Sequence, residues 1–295
     1  MSTVRFFSTP GIELVADLYL PSGQAPAGGY PAIVACLGWG SVKELMRTWG
    51  EALAGRGYAV LVPDYRGFGA SDGERGRCFP EEHVDDIRGA VTFLTERGEV
   101  DSDRIALLGV SYGGAIAVTA GGLDDRPGAV ISVVGYGSGE RHLRAVRTPS
   151  EWEQFRARLH GDRRTRVLQG RSQEIDPDEI LMRDAEARAW RDRVEREFPH
   201  MAFRTTLESA QKMIDFVPER HLPYPSHTPV LFIHAGADRM VPVEESRSMW
   251  QRAGEPKELI VIPDIGHHEV HSGEPFERTI RHIDEWLIAH MTTSP

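Results

Sequence analysis

LLGVSYGGA, residues Leu107–Ala115, is the stretch on which the reading of this 295-residue chain turns. It sets Ser111 between Gly109 and Gly113, a G-x-S-x-G pattern, where an apolar run gives way to small residues. Gly and Ser are common, so the pentapeptide acquires meaning only from a strand before it and a helix after it. RIALLGVS (104–111) is apolar nearly throughout, and YGGAIAVTAGG reads as the start of a helix rich in small residues. A sharp strand-to-helix turn exposes the serine hydroxyl, and the two glycines leave room for the strained backbone. The helix N-terminus behind it favours negative charge developing nearby.

Outward from this turn the chain alternates between short apolar runs and helical patterns. AIVACLG (32–38), YAVLVPDY (58–65), AVISVVGYG (129–137), VLFIHAGAD (230–238) and ELIVIPDIG (258–266) suit strands covered on both faces. Val84, Ile87, Val91 and Leu94 recur at helical spacing, as do Ile280, Ile283, Trp286 and Leu287. TVRFFST and IELVADLYLP, separated by Pro10-Gly11, read as an antiparallel strand pair. The pattern predicts an α/β fold: a doubly wound, mostly parallel sheet preceded by that pair.

The alternation breaks once. Residues 1–138 and 226–295 are expected to form the core, and 139–225 a helical cap without a strand-like run. Within residues 140–199 lie fourteen basic residues, all arginine, and thirteen acidic ones, so this is a mixed-charge helical surface and not a basic patch. SEWEQFRARLHG is expected to be a helix with Ser150 and Glu153 as its capping box and Gly161 as its end. DPDEILMRDAEARAWRDRVEREF is expected to be a second helix, capped by Asp176, with Pro177 at its first position and Ala187, Trp190, Val194 and Phe198 as its stripe. TTLESAQKMIDF (205–216) is a third.

A net charge of −10 argues against nucleic acid and against an anionic membrane surface as partners. Only Cys36 and Cys78 are present, which fits a reducing compartment and no disulfide framework. The start MSTVRFFSTPG lacks the pattern of a signal peptide, and no apolar stretch approaches the ~20 residues of a membrane helix, so the expectation is a cytoplasmic protein. His160, His200, His221 and His227 lack metal-ligand spacing; neither a metal nor a cofactor is expected. No dinucleotide fingerprint follows a strand, and no phosphate-binding loop is present.

A serine hydroxyl needs a base, and the base needs an orienting carboxylate. In an open α/β sheet these come from loops at the C-terminal ends of later strands. GADRMVP places Asp238 just past one such strand, and GHHEV places His267 and His268 just past the next. The order Ser111, Asp238, His267 is that of a nucleophile-elbow hydrolase. Together with DYRGFGASDG (64–73), these motifs make the chain resemble an α/β-hydrolase of the serine esterase and peptidase branch, which includes dienelactone-hydrolase-like and X-prolyl-peptidase-like enzymes. The resemblance spans about two-thirds of the chain. It implies His267, directly after the glycine, as the base in preference to His268. Ser111 in place of a cysteine nucleophile speaks against dienelactone hydrolysis itself.

The resemblance also implies an oxyanion hole. Its donors are the backbone N–H of Tyr112 and one from LGWGSVKE (37–44), by position that of Trp39, with Gly40 next; Leu37-Gly38 stands where many relatives carry His-Gly. The expected activity is cleavage of a carboxylic ester through an acyl-enzyme, on a small-molecule acyl substrate. Thioester or amide cleavage and acyl transfer are alternatives with the same residues, and a non-catalytic binding scaffold is a further one. Trp152, Trp190, Met213 and His268 are candidate pocket residues. His234 is read as a satisfied core histidine, and Lys43–Glu44 as a local pair. A homodimer formed through the cap or an edge strand is compatible with the pattern.

Overall fold

The apolar runs assemble side by side because each can bury both faces only between helices. The computed structural model describes residues 1–181, 185–225 and 228–291. Its eight-stranded sheet comprises β1 (Ser2–Thr9), β2 (Ile12–Tyr19), β3 (Tyr30–Cys36), β4 (Ala59–Pro63), β5 (Val100–Val110), β6 (Ala129–Val133), β9 (Val230–Ala235) and β10 (Lys257–Ile262), with β7 (Glu174–Ile175) and β8 (Thr205–Thr206) forming a small separate pair. The order is β1-β2-β4-β3-β5-β6-β9-β10. β1 and β2 are antiparallel, β2 meets β4 antiparallel, and every later pairing is parallel. This is the α/β-hydrolase sheet that the alternation predicts.

The helices are α1 (Arg47–Ala54), α2 (Pro80–Thr95), α3 (Tyr112–Leu123), α4 (Gly139–Ala145), α5 (Pro149–Gln169), α6 (Ala185–Glu197), α7 (Leu207–Asp215), α8 (Glu244–Arg252) and α9 (Gly273–His290). α3 follows the central strand β5 and is buried from Tyr112 to Gly121, which is why it is built of Gly, Ala and Val. β5 lies between β3 and β6, with Cys36 opposite Gly109 and Val133 opposite Val110. Ser111 therefore emerges at the C-terminal edge of the sheet, beside the loop that leaves β3.

Between β6 and β9 the chain is mainly helical, with departures from the sequence reading. α5 begins two residues earlier than expected: Thr148 and Glu151, not Ser150 and Glu153, form the capping box, with Pro149 at the first helical position. The helix also runs through Gly161, whose missing side chain on an open face costs only about 1 kcal/mol, and stops at Gly170, which takes the left-handed conformation at φ 69°. Asp176 caps only the short turn Pro177–Glu179, and the helix carrying Trp190 starts at Ala185. Residues 182–184, which the sequence reading placed inside that helix, lie outside the described residues, as do Ser226 and His227 at the expected domain boundary. β7, β8 and α4 have no counterpart in the sequence reading, since two-residue strands and a two-turn helix leave almost no periodicity to detect.

α6 lies over the loop after β3. Val194 and Met201 are buried against Val42, with Leu45, Trp190 and Phe198 packed around them. Among the described residues no helix is long and apolar enough to cross a membrane.

Candidate active site

Ser111 has φ 60° and ψ −121°, a conformation that L-residues rarely adopt. It is held there by Ser111 N–H donating to Val133 O at 2.8 Å and Gly114 N–H donating to Ser111 O at 2.9 Å. A β-carbon on residue 109 would stand 1.9 Å from Gly113 O, and one on residue 113 would stand 2.0 Å from Cys36 O. The turn is thus as tight as the backbone permits, and glycine is required at both positions.

The loops after β9 and β10 meet because those strands run parallel in register, Ala235 opposite Ile262. Gly236 N–H donates to Ile262 O at 2.7 Å and Ala237 N–H to Ile265 O at 2.9 Å, tying one loop to the other. His267 Nδ1 lies 2.6 Å from Asp238 Oδ2, and His267 Nε2 lies 2.9 Å from Ser111 Oγ. Asp238 Oδ1 accepts from the N–H groups of Met240 and Val241, both at 2.8 Å. Burial pushes the Asp238 carboxyl up, but the His267 ring and these hydrogen bonds outweigh it, and the net shift is downward. The three residues singled out as nucleophile, carboxylate and base are therefore one hydrogen-bonded chain, with the Asp238 side chain wholly shielded from solvent.

His234 is accounted for within the core. Its Nε2 donates to Val241 O at 2.9 Å and its Nδ1 shares a hydrogen bond with Ser246 Oγ at 2.7 Å, so both nitrogens are used, and burial pushes its pKa down. Lys43 pairs with Glu44 at 3.2 Å and with Asp17 at 3.3 Å. The DYRGFGASDG loop contributes Asp64, which is fully buried and accepts from Lys43 N–H at 2.7 Å and Ala70 N–H at 3.0 Å. Burial raises its carboxyl to about 6, against the pull of those amides. Asp64 thereby anchors the end of the loop that carries Trp39.

A cavity of about 270 Å³ opens beside Ser111 and His267, bordered by Trp39, Trp190 and His268. Trp190 stacks on His268 at 4.2 Å with 9° between the planes. Tyr112 is the first residue of α3, so its N–H has no acceptor one turn back within the helix. Its hydroxyl shares a hydrogen bond with the buried His83 Nδ1 at 2.8 Å. Trp152 and Met213 are not brought to this cavity. Both are buried where α5 and α7 pack on their neighbours, so their helical stripe serves packing. His271, Leu45 and Met46 border the cavity and were absent from the sequence reading. For His271 a signal existed: it stands four residues beyond His267, in the same GHHEVH segment.

Comparison with known proteins agrees with this architecture. The chain is 28% identical over 297 residues to thiohydrolase aneE of Aspergillus aculeatus, covering 94% of this chain and 89% of that protein. It is 28% identical over 280 residues to polyketide transferase af380 of Aspergillus fumigatus, covering 88% and 90%. The structure of DcsB in complex with its substrate analogue superposes with a TM-score of 0.82 at 22% identity, covering 98% of this chain and 99% of that one, a likeness of fold. The family model described as serine aminopeptidase, S33, matches residues 31–275, and with the sheet order and elbow above it, the chain belongs to that family of α/β-hydrolases.

Proposed function

We propose that this protein is a serine hydrolase that cleaves a carboxylic ester or a related acyl bond through a covalent acyl-enzyme. The observation that carries the reading is the unbroken chain from Ser111 Oγ through His267 to Asp238, at 2.9 and 2.6 Å, with Ser111 and His267 bordering a cavity. Asp238 accepts a hydrogen bond from the Nδ1–H of His267, which keeps the proton on Nδ1 and leaves Nε2 as the basic nitrogen facing Ser111. As Ser111 Oγ attacks the acyl carbonyl, His267 Nε2 takes its proton. The Tyr112 and Trp39 amides receive the oxyanion, each worth about 3 kcal/mol of barrier. His267 then hands the proton to the leaving oxygen, and water, deprotonated by the same nitrogen, releases the acid. The helical segment 139–225 acts as a cap, with α6 selecting the substrate from above.

The likeness to a thiohydrolase and a polyketide transferase favours a second reading with the same residues: a thioester substrate, with an alcohol or amine replacing water as acyl acceptor. Amide cleavage is a third variant of the same chemistry. The deciding experiment is labelling with a small fluorophosphonate at pH 8, comparing the wild type with Ser111→Ala. Labelling that disappears in the variant supports an activated serine, and a panel of esters, thioesters and amides with and without added acceptors then separates the readings. A folded wild type that resists the probe removes the hydrolase reading.

A further inference from the structure

The cavity beside Ser111 is bordered by apolar Leu45, Met46, Leu181 and Val194 and, elsewhere in its wall, by charged Arg193 and Glu197. His271 stands in that wall and is held from two sides. Trp49, itself buried, donates its indole N–H to His271 Nδ1 at 3.1 Å. The Trp49 ring meets the imidazole edge-on at 5.7 Å and 72°, while Trp190 stacks against it at 6.4 Å and 26°. An indole N–H only donates, so Nδ1 must hold the lone pair. In a neutral imidazole the proton is then on Nε2. Burial, and secondarily the nearby charge on His267, push His271 down to about 4, so the ring is neutral at neutral pH. Among the described residues no protein group accepts a hydrogen bond from His271 Nε2.

We propose that His271 reads the leaving group of the substrate, its Nε2–H donating to an oxygen placed a few bonds beyond the scissile bond. This rests on the acyl-hydrolase reading above. In that reaction the leaving group lies on the His267 side of Ser111, because His267 Nε2 must reach it with a proton. His271 follows on the same loop, one short turn later at Glu269–His271, and borders the same cavity as His267. A fixed donor flanked by the Trp49 and Trp190 rings is costly to cover with a hydrocarbon and favourable to cover with an acceptor. The substrate class is therefore an ester or thioester whose leaving group carries an ether, hydroxyl or carbonyl oxygen, in preference to a plain alkyl leaving group.

The test uses two esters of nearly the same shape, 2-methoxyethyl butanoate and n-butyl butanoate, which differ by one oxygen in place of a methylene. The ratio of their kcat/KM values is compared among wild type, His271→Phe and His271→Gln, which cancels the difference in intrinsic leaving-group reactivity. The ratio is expected to fall by about tenfold in His271→Phe, the loss of one hydrogen bond, and to recover in part in His271→Gln, whose amide again offers a donor. An unchanged ratio overturns the proposal, as does an equal loss on both esters, which marks a structural role. ¹⁵N shifts of the His271 ring in the wild type provide an independent check that needs no variant: a proton on Nε2 is expected, and a proton on Nδ1 overturns the proposal. Fluorophosphonate labelling of the same wild-type sample separates the two levels. A wild type that fails to label loses the hydrolase reading and this inference with it, whereas labelling with an unchanged ratio removes the inference alone.

Discussion

The carbonyl oxygen of Cys36 lies 2.0 Å from where a β-carbon on residue 113 would stand. Cys36 ends β3, pairs with Gly109 on β5, and leads into the loop bearing Trp39, so the elbow and the expected oxyanion loop are pressed backbone to backbone. Neither partner of the contact is a side chain that can swing away. Gly113→Ala must therefore part the elbow from the oxyanion loop. We expect a loss of stability on the order of 3 kcal/mol in urea unfolding, with turnover falling further than the remaining folded fraction explains. A variant with normal stability and normal turnover would show that the two loops are free to separate.

Asp238→Asn probes the other end of the hydrogen-bonded chain. The asparagine oxygen can keep the Met240 and Val241 amides satisfied, which turns its NH₂ group toward His267. His267 Nδ1 must then accept, its proton moves to Nε2, and the ring can no longer take the proton of Ser111. Turnover is expected to drop about 10⁴-fold with the melting temperature little changed. Ester hydrolysis and a thermal melt on the same preparation check this, and near-normal turnover would remove Asp238 from the mechanism.

The parts of this arrangement that were legible in the sequence are those in which a strand end dictates position. Ser111, Asp238 and His267 each sit just past an apolar run, and parallel strands deliver their C-terminal ends to one edge whatever the intervening chain does. His234 was legible for a related reason, lying inside such a run. The helical segment between β6 and β9 was read less well. The stripe through Trp152 tells that a face is buried but not what it is buried against, and the structure sets that tryptophan into packing while bringing Trp190 and His271 to the cavity. The end of α5 was misplaced because Gly161 and Gly170 carry the same local signal. Only tertiary surroundings distinguish a tolerated glycine from a terminating one. The Trp49–His271 bond joins residues 222 positions apart, beyond the reach of any local pattern.

Arg141 clamps both ends of the helical segment to α8. Its guanidinium meets Glu245 at 2.7 and 2.8 Å and Glu219 at 3.0 and 2.8 Å, while Glu245 also accepts from the N–H groups of Gly137 at 2.9 Å and Ser138 at 3.1 Å. The Glu245 and Glu219 side chains are only 2% and 8% exposed; without the guanidinium Glu219 keeps Ser248 Oγ at 2.8 Å and Arg252 at 3.6 Å, whereas Glu245 keeps, among the described residues, only backbone N–H groups, with little water to replace the lost charge. Arg141→Met is expected to cost about 3 kcal/mol in urea unfolding. Adding Glu245→Gln should restore part of that loss, since an amide can keep the Gly137 and Ser138 contacts without a stranded charge. A double variant as unstable as the single one would mean that the loss comes from packing of the arginine stem.

His142 gives the protein a pH dependence of stability separate from its chemistry. It lies buried on α4, stacked on Tyr136 at 5.0 Å and 19°, and burial, with the His267 charge adding to it, pushes its pKa down to about 3. In the unfolded chain a histidine titrates near 6.5. Above that pH the ring is neutral in both states and contributes nothing to the slope. Below it the unfolded chain takes up a proton that the folded one refuses, so stability falls as pH falls, by about 1.4 kcal/mol per unit until the folded ring itself charges. The buried His83, pushed down to about 3 chiefly by burial, adds a second contribution of the same sign. His142→Phe keeps the stack on Tyr136 and removes the titrating group. Between pH 7.5 and 5.0 the variant should lose about 2 kcal/mol less than the wild type in urea unfolding, whatever its stability at the upper pH. Equal losses in the two proteins would mean that the His142 ring takes up its proton in the folded state and that the pocket around it admits the charge.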